Sequence, residues 1–74
     1  MEKIGKRIKE LRKELDYTQN KLAQVLGVTQ DSISLWESGK RIPDTQYIIA
    51  LAKFFNVTSD YLLGLSDDVS NIKF

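Results

Sequence analysis

Between residues 30 and 41 the chain places Gln30, Asp31, Ser32, Ser34 and Ser38 in close succession, with Lys40-Arg41 directly after them. An amide, a carboxylate and three hydroxyls supply hydrogen-bond donors and acceptors, and the two cations supply charge for an anion. Such a set can recognise a partner but is poorly equipped to break a covalent bond. The 74 residues include no cysteine and no histidine, which removes thiolate metal sites, thiol nucleophiles and any Ser-His or Cys-His arrangement. Catalysis by carboxylates or lysine alone would need a clustered acid–base pair, which the sequence lacks, and a pocket that would consume much of so small a core. No enzyme activity, no metal and no cofactor are expected.

The length admits one domain. The net charge of +1 conceals an asymmetry: residues 1–41 hold nine Lys/Arg against six Asp/Glu, and residues 42–74 hold two against four. A basic first part admits a polyanionic partner without requiring one. The longest apolar stretch, Ile48-Ile49-Ala50-Leu51-Ala52, is far too short to span a membrane. Met1-Glu2-Lys3 leads into a charged segment rather than an apolar signal region. These features predict a cytoplasmic protein with no membrane partner.

The elements that must carry these residues are helices. Ile4, Ile8, Leu11 and Leu15 step by four, three and four, the spacing of one buried stripe on an amphipathic helix. After it, one piece of punctuation recurs three times. Tyr17-Thr18 is followed by Leu22, Val28-Thr29 by Ile33, and Val57-Thr58 by Leu62. In each, Thr caps the orphan N–H groups of a helix start and the flanking apolar pair staples the entry. A fourth start falls at Asp44, after Pro43, with Tyr47, Ile48, Leu51, Ala52 and Phe55 as its buried stripe. Gly27, Gly39, Gly64 and Asn56 stand where a left-handed residue ends a helix at little cost, and Asp16 is a poorer stop of the same kind. The reading is all-α: five short helices near 3–15, 19–26, 30–38, 45–55 and 59–63, and no strand.

Only Gly27-Val28-Thr29 joins the second and third helices, which sets them at a steep angle. With Ile33 and Trp36 turned inward, a step of about 100° per residue turns Asp31, Ser34, Leu35 and Ser38 outward, with Gln30 and Ser32 on the flanks. Trp36, at helical spacing from Ile33, reads as a core anchor rather than a stacking platform. Tyr17, Tyr47 and Tyr61 read as core edges with wet hydroxyls.

Thr18-Gln19-Asn20-Lys21-Leu22-Ala23, Leu26-Gly27-Val28-Thr29 and Ile33-Ser34-Leu35-Trp36-Glu37-Ser38-Gly39 resemble the phage repressor/Cro-type helix-turn-helix family of bacterial transcription regulators. Arg41-Ile42-Pro43, Leu51-Ala52, Val57-Thr58 and Asp60-Tyr61-Leu62-Leu63-Gly64 continue the likeness, which covers roughly residues 4–64. The resemblance implies a compact five-helix domain of the lambda-repressor-like type over residues 1–64, with the helix-turn-helix at helices two and three. It implies a sequence-specific regulator of transcription, a repressor rather than an activator, whose third helix enters the major groove of double-stranded DNA. By the same resemblance Gln30, Asp31, Ser34 and Leu35 fall at base-reading positions. Gln30 suits adenine N6 and N7, Asp31 suits cytosine N4, and Leu35 suits a thymine methyl. Phosphates would be met by Gln19, Ser32, Ser38, Lys40 and Arg41, which orient the domain and carry little sequence information. The family pattern pairs Glu37 with a first-helix arginine, here Arg12. Two departures stand out: Asp31 is an acid amid the reading face, and Asp16 stands where the family often has Gly.

A single module buries only about 600–1,000 Å² on DNA, so a homodimer on a pseudo-palindromic operator is expected. Residues 65–74 read as a loose tail or as part of the dimer contact. The contact candidates are Tyr61, Leu62, Leu65, Val69, Ile72 and Phe74. The rival reading keeps the fold and changes the partner: a protein-interaction module, such as an antitoxin, which would need an exposed apolar patch rather than a polar helix.

Overall fold

The structure, a computed structural model, describes residues 2–68. Among these the chain forms five helices and no strand: α1 (Glu2–Glu14), α2 (Gln19–Leu26), α3 (Gln30–Ser38), α4 (Thr45–Phe55) and α5 (Ser59–Leu63). α1 packs on α3 and α5, α2 on α3, and α4 on α2 and α5.

Local chemistry sets the boundaries. Thr18, Thr29 and Thr58 have extended backbones, and each hydroxyl accepts the N–H three residues on, from Lys21, Ser32 and Tyr61. Asp44 holds the same backbone position before α4 but makes no side-chain cap bond. Gly27, Gly39, Gly64 and Asn56 end their helices in the left-handed region. Asp16 is left-handed too, at φ 57°, so a residue with a Cβ occupies a conformation that usually falls to glycine.

Ile4, Ile8, Leu11, Leu22, Ala23, Ile33, Trp36, Leu51, Val57 and Leu62 form one buried cluster, edged by Tyr17, Tyr47, Phe54, Phe55 and Tyr61. Two expectations fail here. Leu15 leaves the stripe and is 47% exposed. α1 stops at Glu14, and Leu15 N–H folds back to Arg12 O at 3.2 Å, which swings the side chain outward. Leu62, a candidate for the dimer contact, is fully buried against the other helices and has no surface to offer a second copy.

Gly5, which the periodicity of α1 does not single out, proves to be where α1 and α3 touch. A Cβ at Gly5 would meet the main-chain oxygen of Trp36 at 2.2 Å and that of Glu37 at 2.9 Å. At the other end of α1, Arg7 holds the segment after α5. Its guanidinium donates to Tyr61 O and Ser66 O, pairs with Asp67 at 2.7 Å and lies 4.0 Å over the Tyr61 ring. Asp67 is held below its usual carboxylate range, first by that hydrogen bond and then by the charges of Arg7 and Lys3.

Candidate functional site

The corner between α2 and α3 is built from backbone. Gly27 adopts φ 71°, its N–H donates to Gln24 O, and Val28 N–H donates to Ala23 O at 3.0 Å, so α2 ends and the chain reverses within three residues. Thr29 then starts α3, and its hydroxyl takes the Ser32 N–H at 3.2 Å and lies 3.1 Å from Ser32 Oγ. Leu22, Ala23 and Ile33 are buried inside the corner. α3 is thereby wedged against α1 and α2 by Ile33 and Trp36, and its opposite side is open.

That open side carries Gln30, Asp31, Ser34 and Ser38, all exposed, with Ser32 and Leu35 half-buried. Asp31, in the first turn, also complements the partial positive charge of the helix start. The Ser38 hydroxyl is occupied locally, donating to Leu35 O at 3.1 Å and accepting Lys40 N–H at 3.4 Å. Lys40 and Arg41 are exposed, and both their backbone N–H groups donate to Leu35 O, which winds the chain tightly past Gly39. Their side chains therefore leave the body next to the end of the polar face. Pro43 is buried and anchors the loop behind them.

Behind α3 lies a buried ion pair. Arg12 Nε donates to Glu37 Oε2 at 2.7 Å and Nη2 donates to Oε1 at 3.1 Å, with the two side chains 10% and 4% exposed. Arg12 Nη1 also donates to Tyr17 O at 2.6 Å, and Gln19 Nε2 donates to Glu37 Oε1 at 3.1 Å. One guanidinium thus joins α1, the α1–α2 turn and the last turn of α3. The hydrogen bond from Glu37 holds Arg12 protonated above its ordinary range against the cost of desolvation. Gln19, assigned to phosphate, is half-buried and spends one amide N–H on this network. Its other N–H and its carbonyl have no protein partner among the described residues.

Gln30, Asp31, Ser34 and Leu35 therefore share one face of α3, with Lys40 and Arg41 beside it and Arg12–Glu37 beneath it. The dimer candidates are less coherent. Leu65 is 73% exposed and Tyr61 is half-buried beneath Arg7. Val69, Ile72 and Phe74 lie outside the described residues. Sequence reasoning missed Gly5, the Arg7 clasp and the Gln19–Glu37 bond. Only Gly5 had a visible signal, as a glycine inside an otherwise strong helix.

Comparison with known proteins adds a pedigree to this geometry. A family model described as helix-turn-helix matches residues 8–62. The transcriptional regulator ImmR of Bacillus subtilis is 42% identical over 67 residues, 90% of this chain and 52% of its own length. The antitoxin PezA of Streptococcus pneumoniae is 38% identical over 61 residues, 82% of this chain and 39% of its own. The chain thus spans about half the length, or less, of these curated relatives. Among solved structures, the P22 c2 repressor in complex with a synthetic operator superposes with a TM-score of 0.81 at 33% identity, covering 89% of this chain and all of that one.

Proposed function

The chain belongs to this helix-turn-helix family, and on that premise we propose that it is a sequence-specific regulator of transcription that reads double-stranded DNA with α3. The observation that carries the reading is the open polar face of that helix. Gln30, Asp31 and Ser34 are exposed on an element whose other side is locked into the core by Ile33 and Trp36. Neutral amide and hydroxyl groups, one carboxylate and Leu35 suit the donor and acceptor pattern and the thymine methyls of the major groove. Lys40 and Arg41 meet backbone phosphates, as do Gln19 through its remaining amide groups, Ser32 and Ser38. The likeness to an operator-bound repressor supports the same reading and favours repression over activation. The protein acts in the cytoplasm as a homodimer on a pseudo-palindromic site, and its domain ends near residue 64.

Selection of bound sites from random duplex, followed by titration of the winning and an unrelated duplex across salt concentrations, tests this. A selected half-site and an affinity that falls steeply with salt for both duplexes are the expected results. The kinship to an antitoxin favours one rival, a role exercised through a protein partner. Absence of duplex binding even at low salt would decide for that rival.

A further inference from the structure

Beside α3, where the following loop turns into α4, lies a pocket of about 100 Å³ lined by Ser32, Trp36, Arg41, Ile42, Asp44 and Tyr47. That is roughly three times the ~30 Å³ that a water molecule takes in the liquid. Trp36 is only 3% exposed, and its indole N–H has no hydrogen-bond partner among the described residues. Every fully buried side-chain nitrogen or oxygen among those residues does have one. The indole N–H is therefore part of the sliver of Trp36 that still borders open space, and this pocket is where Trp36 borders it. Tyr47, with its ring 5.5 Å from that of Trp36, is half-buried, and its hydroxyl too has no partner among the described residues.

An indole N–H, a phenol, a serine hydroxyl and a guanidinium around one hollow make a set of donors suited to an oxyanion. α4 begins at the same place, and because its Asp44 cap makes no side-chain bond, the N–H groups of its first turn stay open. The Asp44 carboxylate opposes an anion here. It is exposed to water, which screens it, and Arg41 offsets it.

We propose that this pocket seats one phosphate of the DNA backbone, with Trp36 Nε1–H and Tyr47 Oη–H as donors beside Ser32 and Arg41. The proposal rests on the DNA-reading function above and deepens it. Lysine and arginine on the surface must be immobilised to hold a phosphate, whereas Trp36 is already fixed by the core and surrenders no rotamer freedom on binding. A phosphate held against the flank of α3 would set how far the helix enters the groove, and so the register in which Gln30, Asp31 and Ser34 meet bases.

The chain has a single tryptophan, so the ¹⁵N-labelled protein gives one indole N–H resonance. Saturation with duplex, selected or unrelated, should shift that resonance and slow its exchange with solvent. Tyr47→Phe should weaken every duplex by roughly tenfold, the worth of one hydrogen bond to a charged group, with melting temperature and half-site preference unchanged. An indole resonance unmoved in the saturated complex, or a Tyr47→Phe protein as tight as the parent, overturns the pocket while leaving DNA reading intact. Failure of every duplex to bind at low salt overturns DNA reading and the pocket together.

Discussion

Replacing Gly5 by alanine sets two well-characterised effects against each other. Inside a helix, alanine is favoured over glycine by about 1 kcal/mol, because glycine loses more backbone freedom on folding. Here the new methyl would lie 2.2 Å from Trp36 O and 2.9 Å from Glu37 O, where ordinary contact begins near 3.4 Å. Both neighbours are main-chain atoms of α3, so no rotamer change relieves the clash, and α1 must move away by about an ångström. That movement loosens Ile4 and Ile8 against Ile33 and Trp36 and stretches the 2.7 Å bond between Arg12 and Glu37. Overpacking of this kind costs typically 1–3 kcal/mol or more, and the lost packing and weakened pair add to it. We expect a net destabilisation of about 1–3 kcal/mol after the propensity gain. For a domain of this size that lowers the melting temperature by roughly 5–20 °C. Urea and thermal unfolding, followed by circular dichroism and by the fluorescence of Trp36, measure it. A Gly5→Ala protein as stable as the parent, or more so, would refute the claim that α1 and α3 meet backbone to backbone at this residue.

Three further outcomes follow from the same coordinates. Gln30→Ala should relax base preference at one position of each half-site, while Arg41→Ala should weaken all duplexes alike and reduce the salt slope by about one; identical behaviour would erase the division between reading and anchoring residues. Arg12→Met should destabilise the fold by about 3–5 kcal/mol because Glu37 is left buried without its cation, and Arg12→Met combined with Glu37→Leu should be milder than the single change in urea unfolding. The Arg7 clasp should show itself in an NMR titration: Asp67 titrates below its ordinary 3.8, so the clasp holds above about pH 4 and is lost as the pH falls through the depressed value. Arg7→Ala should return Asp67 to the ordinary range.

Much of the architecture could be read from the chain because it is encoded over short distances. A Thr hydroxyl reaches an N–H three residues away, a left-handed Gly reverses a helix end within two, and an apolar stripe repeats every three or four. Each is decided before any long-range contact exists, which is why α2, α3, α4 and α5 begin and end where those residues stand. α1 strays by one residue at each end, and Leu15 strays most, because periodicity alone could not tell that Asp16 would stop the helix ahead of it. The polar face of α3 was legible for the same reason, since the inward positions of Ile33 and Trp36 dictate the outward ones.

What stayed hidden depends on residues far apart in sequence. Nothing near Gly5 announces that the carbonyls of Trp36 and Glu37 will press against it, and nothing near Arg7 announces Tyr61, Ser66 and Asp67. The pocket bordered by Ser32, Trp36, Arg41 and Tyr47 exists only once α4 has docked beside α3. Spacing along the chain therefore wrote the helices and the direction each side chain faces, because those follow from hydrogen bonds and periodicity a few residues wide. Helix docking settled which backbones touch, which cations are spent inside the molecule and which donors are left over for a ligand, because each depends on distances that no local pattern records.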